Sequence, residues 1–80
     1  MELYVRDGCP YCAIVLEAAE QLGIPLTLHN IADPAVADGL IARGGKQQVP
    51  YLVDSEHGVE MYESEDIVAY LKDRIFTTAV

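Results

Sequence analysis

Eighty residues, of which 51% are hydrophobic, make one small domain able to build a core without cross-links. A net charge of −8 excludes nucleic acid as a partner, since phosphate recognition needs basic clusters. No apolar run approaches the roughly 20 residues of a membrane span, and no charged-then-apolar stretch marks a signal peptide.

In chain order, Glu2 to Arg6 reads as a short strand with aromatic and β-branched side chains. Asp7 and Gly8 signal a turn. Cys9, Pro10, Tyr11 and Cys12 follow, with Pro10 at the first position of a predicted helix. That helix is rich in strong helix formers and continues to Leu22, with Gly23 as its C-terminal cap. Ile14, Val15, Ala18, Ala19 and Leu22 form its apolar stripe. Cys9 therefore stands at or just before a helix N-terminus. Unpaired N–H groups and the positive dipole end there stabilise a thiolate. In C-x-x-C motifs the cysteine pKa falls from ~8.5 toward ~3.5–7, and the thiolate is the nucleophile of disulfide exchange. Two cysteines, close together and without an export signal, point to a reducing, cytoplasmic setting. The pair is then redox-active or metal-binding, not a structural staple.

Pro25 to Ile31 reads as a second strand, with Leu26, Leu28 and Ile31 as its apolar positions. Asp33 and Pro34 start a second helix, which runs to Arg43 and stops at Gly44 and Gly45. Strand, helix and strand imply a parallel pair joined by a crossover. Val49 to Val53 is a third strand, Asp54 to Gly58 a polar turn, and Val59 to Tyr62 a fourth strand closing a hairpin. The last helix begins near Ser64 as its N-cap, with Glu65 and Asp66 in the first turn. Ile67, Val68, Leu71 and Ile75 form its buried stripe, and Thr77 to Val80 a loose tail.

Three segments carry a family resemblance. They are Cys9-Pro10-Tyr11-Cys12, then Gln48-Val49-Pro50, then Tyr62-Glu63-Ser64 followed by Asp66-Ile67-Val68 and Tyr70-Leu71. With them the chain resembles a dithiol glutaredoxin of the thioredoxin-like fold. The combination is most similar to the N-terminal domain of larger, transferase-like bacterial glutaredoxins, and the chain is expected to stop where their helical second domain begins. The resemblance implies an α/β fold of order βαβαββα, with a four-stranded mixed sheet flanked by helices. It implies a glutathione-dependent thiol–disulfide oxidoreductase in cell redox homeostasis and electron transport. Protein disulfides and glutathionylated proteins are the implied substrates and glutathione the cosubstrate. No tightly bound cofactor and a monomeric chain are expected.

The same resemblance implies residue roles. Cys9 is the nucleophile and Cys12 the resolving thiol. Val49 pairs its backbone with the cysteinyl part of glutathione, in the manner of an added strand, and Pro50 is cis. Glu63 and Ser64 hold the γ-glutamyl end, and Tyr11 flanks the ligand. Lys46, Arg43 and Gln48 are the candidates for the glycine carboxylate. Asp7, two residues before Cys9, opposes the lowering of its pKa.

Plainer readings stand beside these. A zinc site wants four ligands, and only His29 and His57 are available besides the cysteines, without paired spacing, so no metal is expected. His29 reads as an ordinary strand residue and His57 as an exposed turn residue. Tyr4, Tyr51, Tyr62 and Tyr70 read as packing. Two other functions fit the same fold. One is a glutathione-binding or iron–sulfur carrier module. The other is an electron donor coupled to thioredoxin reductase, against which the Glu63–Ser64 pair argues.

Overall fold

The computed structural model describes the backbone of residues 1–79 and the side chains of residues 1–74. Its elements are β1 (Glu2–Val5), α1 (Pro10–Leu22), β2 (Thr27–Asn30), α2 (Pro34–Gly44), β3 (Tyr51–Asp54), β4 (Val59–Met61) and α3 (Ser64–Ala79). The strands form one four-stranded sheet of order β2-β1-β3-β4. β1 pairs parallel with β2 and antiparallel with β3, and β4 is antiparallel to β3. This is the expected thioredoxin-like order.

Side chains alternate across the sheet with the period of two that a pleated strand imposes. Leu3, Val5 and Leu52 point to one face, where Val15 and Ala19 of α1 and Ile67 and Leu71 of α3 cover them. Tyr4, Tyr51 and Val53 point to the other, against Leu40 of α2. Complete burial of a Leu or Ile contributes about 1.5–3 kcal/mol, so Leu3, Leu52, Ile67 and Leu71, all at 0% exposure, anchor the first layer. On the second face Tyr4 and Tyr51 meet edge-on, and Tyr51 stacks obliquely on Tyr62. The packing role expected of these tyrosines holds. Tyr62 lies so close to the end of α2 that a Cβ on Gly44 would stand 1.9 Å from its hydroxyl.

Several local expectations change. Ile14 is not part of the buried stripe of α1. It is 51% exposed, and Leu16 packs toward the core in its place. β2 is shorter than read, and Leu28, on this edge strand, is 50% exposed, at the rim of depressions that it lines with Leu16 of α1. β3 starts two residues later than expected, after Pro50, and includes Asp54, which is buried and not part of a solvated turn. Ser64 is the first residue of α3, not its N-cap. Glu63 precedes it with φ 68°, and the Glu63 carbonyl accepts the Ile67 N–H at 3.0 Å, the first bond of the helix. α3 runs to Ala79, through most of the expected tail. The Ile75 side chain and Val80 fall outside the described residues. Among the described residues no helix is long and apolar enough to cross a membrane.

Candidate active site

The turn at Gly8, with φ 74°, delivers the chain from β1 into α1. Cys9 is the N-cap of α1, in extended conformation at φ −82°, ψ 113°. Pro10 occupies the first turn, where its missing N–H costs no helix bond. The Cys9 carbonyl accepts the Ala13 N–H at 3.1 Å, and its Sγ accepts the Cys12 N–H at 3.2 Å. A sulfur thus fills the place of the usual capping oxygen. Both thiols are free and buried.

Their acidities diverge. Burial pushes the Cys9 thiol up, but the Cys12 thiol, the backbone N–H groups of Cys12 and Tyr11, and the Arg6 charge together bring it below its ordinary value. For Cys12, burial acts with the Cys9 sulfur, by hydrogen bond and by charge, to push it up to about 11. The expected opposition from Asp7 does not prevail. Its carboxylate accepts a hydrogen bond from Asn30 Nδ2 at 3.1 Å.

Beside the motif runs a groove of about 660 Å³. Tyr11, 61% exposed, forms one wall, and Gln48, Val49 and Pro50 form the floor. The Val49–Pro50 bond is cis, as the resemblance implies. Glu63 and Ser64 close the far side, together with Glu65 and Asp66. Gln48 Nε2 donates to Glu63 Oε1 at 3.4 Å. Helix geometry leaves the first N–H groups of α3 without intrahelical acceptors at this edge. Cys9 and Cys12 line a neighbouring depression with Arg6, Asp7 and Leu28. The two depressions meet at the first turn of α1, Pro10 lining one and Tyr11 the other.

Six expected ligand residues therefore gather in one place: Tyr11, Gln48, Val49, Pro50, Glu63 and Ser64. Arg43 and Lys46 do not line the groove. Arg43 Nη1 is 3.7 Å from Glu60 Oε1, and Lys46 Nζ sits 4.7 Å from the centre of the Tyr62 ring. Glu65 and Asp66, first-turn acids of α3 in the sequence, also line the groove. Nothing in their spacing distinguishes the two roles.

A second polar cluster lies at the other end of β3. Buried Asp54 accepts from the Tyr70 hydroxyl and from His57 Nδ1, the latter at 2.9 Å. Arg74 Nη2 is 2.6 Å from His57 Nε2. The sequence signal for this contact, Asp54 before a turn and Tyr70 at the buried edge of a helix, was too generic to read. Asp54, Glu56 and His57 are close enough to share a metal ion. Both nitrogens of His57 already have partners, and the guanidinium repels a cation, so the donor set does not suit one.

Residues 3–77 match the family model described as "Glutathione S-transferase, N-terminal domain". Among solved structures, glutathione S-transferase 1-6 of Anopheles dirus species B is 34% identical with a TM-score of 0.79, covering 94% of this chain and 36% of its own. A delta-class glutathione transferase of Nilaparvata lugens is 30% identical with a TM-score of 0.77, covering 92% and 35%. The glutaredoxin of Brucella melitensis is 25% identical with a TM-score of 0.65, covering 91% and 77%. The chain thus spans about a third of the length of these transferases. No curated protein matches it.

Proposed function

The chain belongs to the family of glutathione S-transferase N-terminal domains, and from that premise we propose that it is a glutathione-dependent dithiol oxidoreductase of the glutaredoxin type. The observation that carries this reading is the place of Cys9 at the N-terminus of α1, its Sγ accepting the Cys12 N–H at 3.2 Å, with a second free thiol one turn on and the groove beside them; the opposite displacement of the two thiols agrees with it. A nucleophile and a resolving group need that asymmetry.

The Cys9 thiolate attacks the glutathione sulfur of a mixed disulfide. A Cys9–glutathione disulfide forms, and the protein sulfur leaves as a thiolate that water protonates. A second glutathione thiolate attacks the bound glutathione sulfur. Oxidised glutathione departs and the Cys9 thiolate returns. With a protein disulfide, Cys9 forms a mixed disulfide with the substrate, and the Cys12 thiolate attacks Cys9 Sγ, releasing the second substrate thiolate and leaving a Cys9–Cys12 disulfide that two glutathione thiols reduce, departing as oxidised glutathione. Once Cys9 is in a disulfide, it no longer carries the charge that holds the Cys12 proton. The resolving thiol is thus easier to ionise when it is needed.

The groove supplies the rest. Glutathione lies between Tyr11 and the start of α3. Val49 offers its backbone to the cysteinyl part, Glu63 meets the γ-glutamyl ammonium, and Ser64 with the first N–H groups of α3 meets the carboxylate. Glu63 at φ 68° is a non-glycine residue in a conformation costing about 1–2 kcal/mol, and a carboxylate needed at that spot is a reason to keep it. On this reading the chain works as one domain and a monomer in a reducing compartment, on glutathionylated or disulfide-bonded proteins.

The test couples a small mixed disulfide and glutathione to glutathione reductase and NADPH. Cys9→Ser should abolish turnover. Cys12→Ser should keep deglutathionylation and lose reduction of protein disulfides. Wild-type protein without glutathione-dependent turnover would remove the proposal. Identical behaviour of the two variants toward the mixed disulfide would overturn the assignment of nucleophile and resolving thiol.

A further inference from the structure

β2 is an outer strand of the sheet, and among the described residues no strand pairs with its free edge. The Thr27 N–H donates to the Met1 carbonyl at 3.0 Å, and the Ile31 N–H donates to the Val5 carbonyl at 2.9 Å. Backbone groups alternate in direction along a strand, so the N–H and carbonyl of Leu28 point away from β1. Such edges are ordinarily blunted by a charged side chain, a proline or a bulge. β2 contains no Lys, Arg, Asp, Glu or Pro, and it pairs with β1 residue for residue.

Leu26, Leu28 and Asn30 share the α1 face of this edge, whereas His29 stacks on Tyr4 on the other face. Leu28, half-exposed, stands between two depressions. One is mainly apolar, bounded by Leu26 and Leu28 and by Leu16 and Ala19 of α1. The other is lined by Leu28 and Asn30 of the edge and by Cys9, Cys12 and Leu16. The free edge therefore leads to the thiols. It does so by a route separate from the glutathione groove, which shares no lining residue with this depression.

We infer that the free edge of β2 seats an extended segment of the protein whose disulfide is reduced, added to the sheet as a further strand. Its apolar side chains, at alternate positions, fall on either side of Leu28. Its cysteine, opposite Asn30, comes into the depression where Cys9 forms the mixed disulfide. The reacting sulfur identifies the occupant: a segment laid along this edge ends against Cys9, and the group Cys9 attacks is a disulfide. Backbone bonds to the edge supply affinity, and the alternate side chains supply selectivity. This rests on the oxidoreductase reading and specifies its protein substrate, while glutathione keeps its own groove.

The experiment follows single-turnover reduction of symmetrical peptide disulfides by the reduced protein. The peptides alternate valine and threonine, with the valines in phase with a cysteine placed at one end or the other. The control is the disulfide of N-acetylcysteine amide, the same cysteine without the segment. The peptide whose direction suits the edge should be reduced about tenfold faster than the control. N-methylation of that peptide at the residues facing β2 should remove the gain, and N-methylation at the intervening residues should keep it, because a strand pairs through one edge. Leu28→Thr, a strand former at a half-exposed site, should lower the ratio of peptide to control rates. No gain with either peptide, or equal effects of the two methylation patterns, would overturn the inference. So would a dimer in sedimentation that Leu28→Thr dissociates, which would give the edge to a second copy of the chain. Glutathione-dependent turnover of a small mixed disulfide is measured alongside. If it persists while the peptides fail, the oxidoreductase reading stands alone, and if it is absent, both fall.

Discussion

Replacing Cys12 with alanine removes one thing at the Cys9 sulfur, the thiol hydrogen bond, and nothing of the backbone. The Cys12 N–H remains in place, and so does the Arg6 charge. The Cys9 pKa should therefore rise in Cys12→Ala yet stay below that of an unperturbed cysteine, because part of the lowering survives. The pH dependence of iodoacetamide alkylation measures this directly, and an unchanged midpoint would show that the backbone and Arg6 do all the work. Glu63 gives a second test at the same scale. Glu63→Gly should stabilise the fold by about 1–2 kcal/mol, since glycine enters φ 68° without a Cβ clash. The same change should raise the apparent constant for glutathione about tenfold or more by removing the carboxylate that meets the ammonium. Denaturant melts and the coupled assay read the two effects separately. Loss of both stability and glutathione use would mean that Glu63 serves the fold.

Each element end carries a device that its neighbours make necessary. Asp33 caps α2 by accepting the Ala35 N–H at 3.0 Å, and Gly45, at φ 86°, ends the helix. At the end of β3, Asp54 ties the strand to α3 through Tyr70 and to the following turn through His57. Burial pushes the Asp54 carboxyl up, but the hydrogen bonds from Tyr70 and His57 and the His57 charge bring it below the usual carboxylate value. A carboxylate depressed in this way stabilises the fold fully above its unfolded pKa of about 3.9. That contribution disappears as pH falls through the lower folded value. Tyr70→Phe should cost about 1.5–3 kcal/mol near neutrality, the worth of a hydrogen bond to a buried charge. The gap between variant and wild type should narrow as pH falls below about 4, where Asp54 begins to protonate. Thermal melts across that range check it, and a gap independent of pH would place the cost in packing.

For the whole molecule, thirteen acidic residues against five basic ones set a net negative field. Such a field steers encounters before any groove contact forms, and salt screens it within about 8 Å at physiological ionic strength. The rate constant for reduction of a cationic small disulfide such as cystamine should fall as salt is added. That for an anionic disulfide should rise. Stopped-flow rates at several ionic strengths distinguish this from a local effect, and equal slopes for both substrates would remove the steering argument.

Local chemistry made much of this chain legible in the sequence. Cys9 before Pro10 and Asp33 before Pro34 mark the two helix starts by proline at the first helical position, and Gly23 and Gly45 stop helices because they tolerate positive φ. These are short-range rules, and each held to within a residue or two. The groove was legible only through family resemblance, since Tyr11, Val49 and Glu63 belong to three separate segments that only the fold brings together. What the tertiary structure alone decided is which apolar and charged residues meet a partner. Leu28 and Ile14 look like core by spacing but are half-exposed at the edge of the layers, whereas Asp54 looks like a turn residue and is buried beside α3. Ser64 has the chemistry of a cap, but the chain enters α3 through Glu63, so the cap falls one residue earlier. Periodicity specifies which side of an element a residue takes. Whether that side is covered depends on the order of strands in the sheet and the placement of helices over it, and those arise from contacts between residues far apart in the chain.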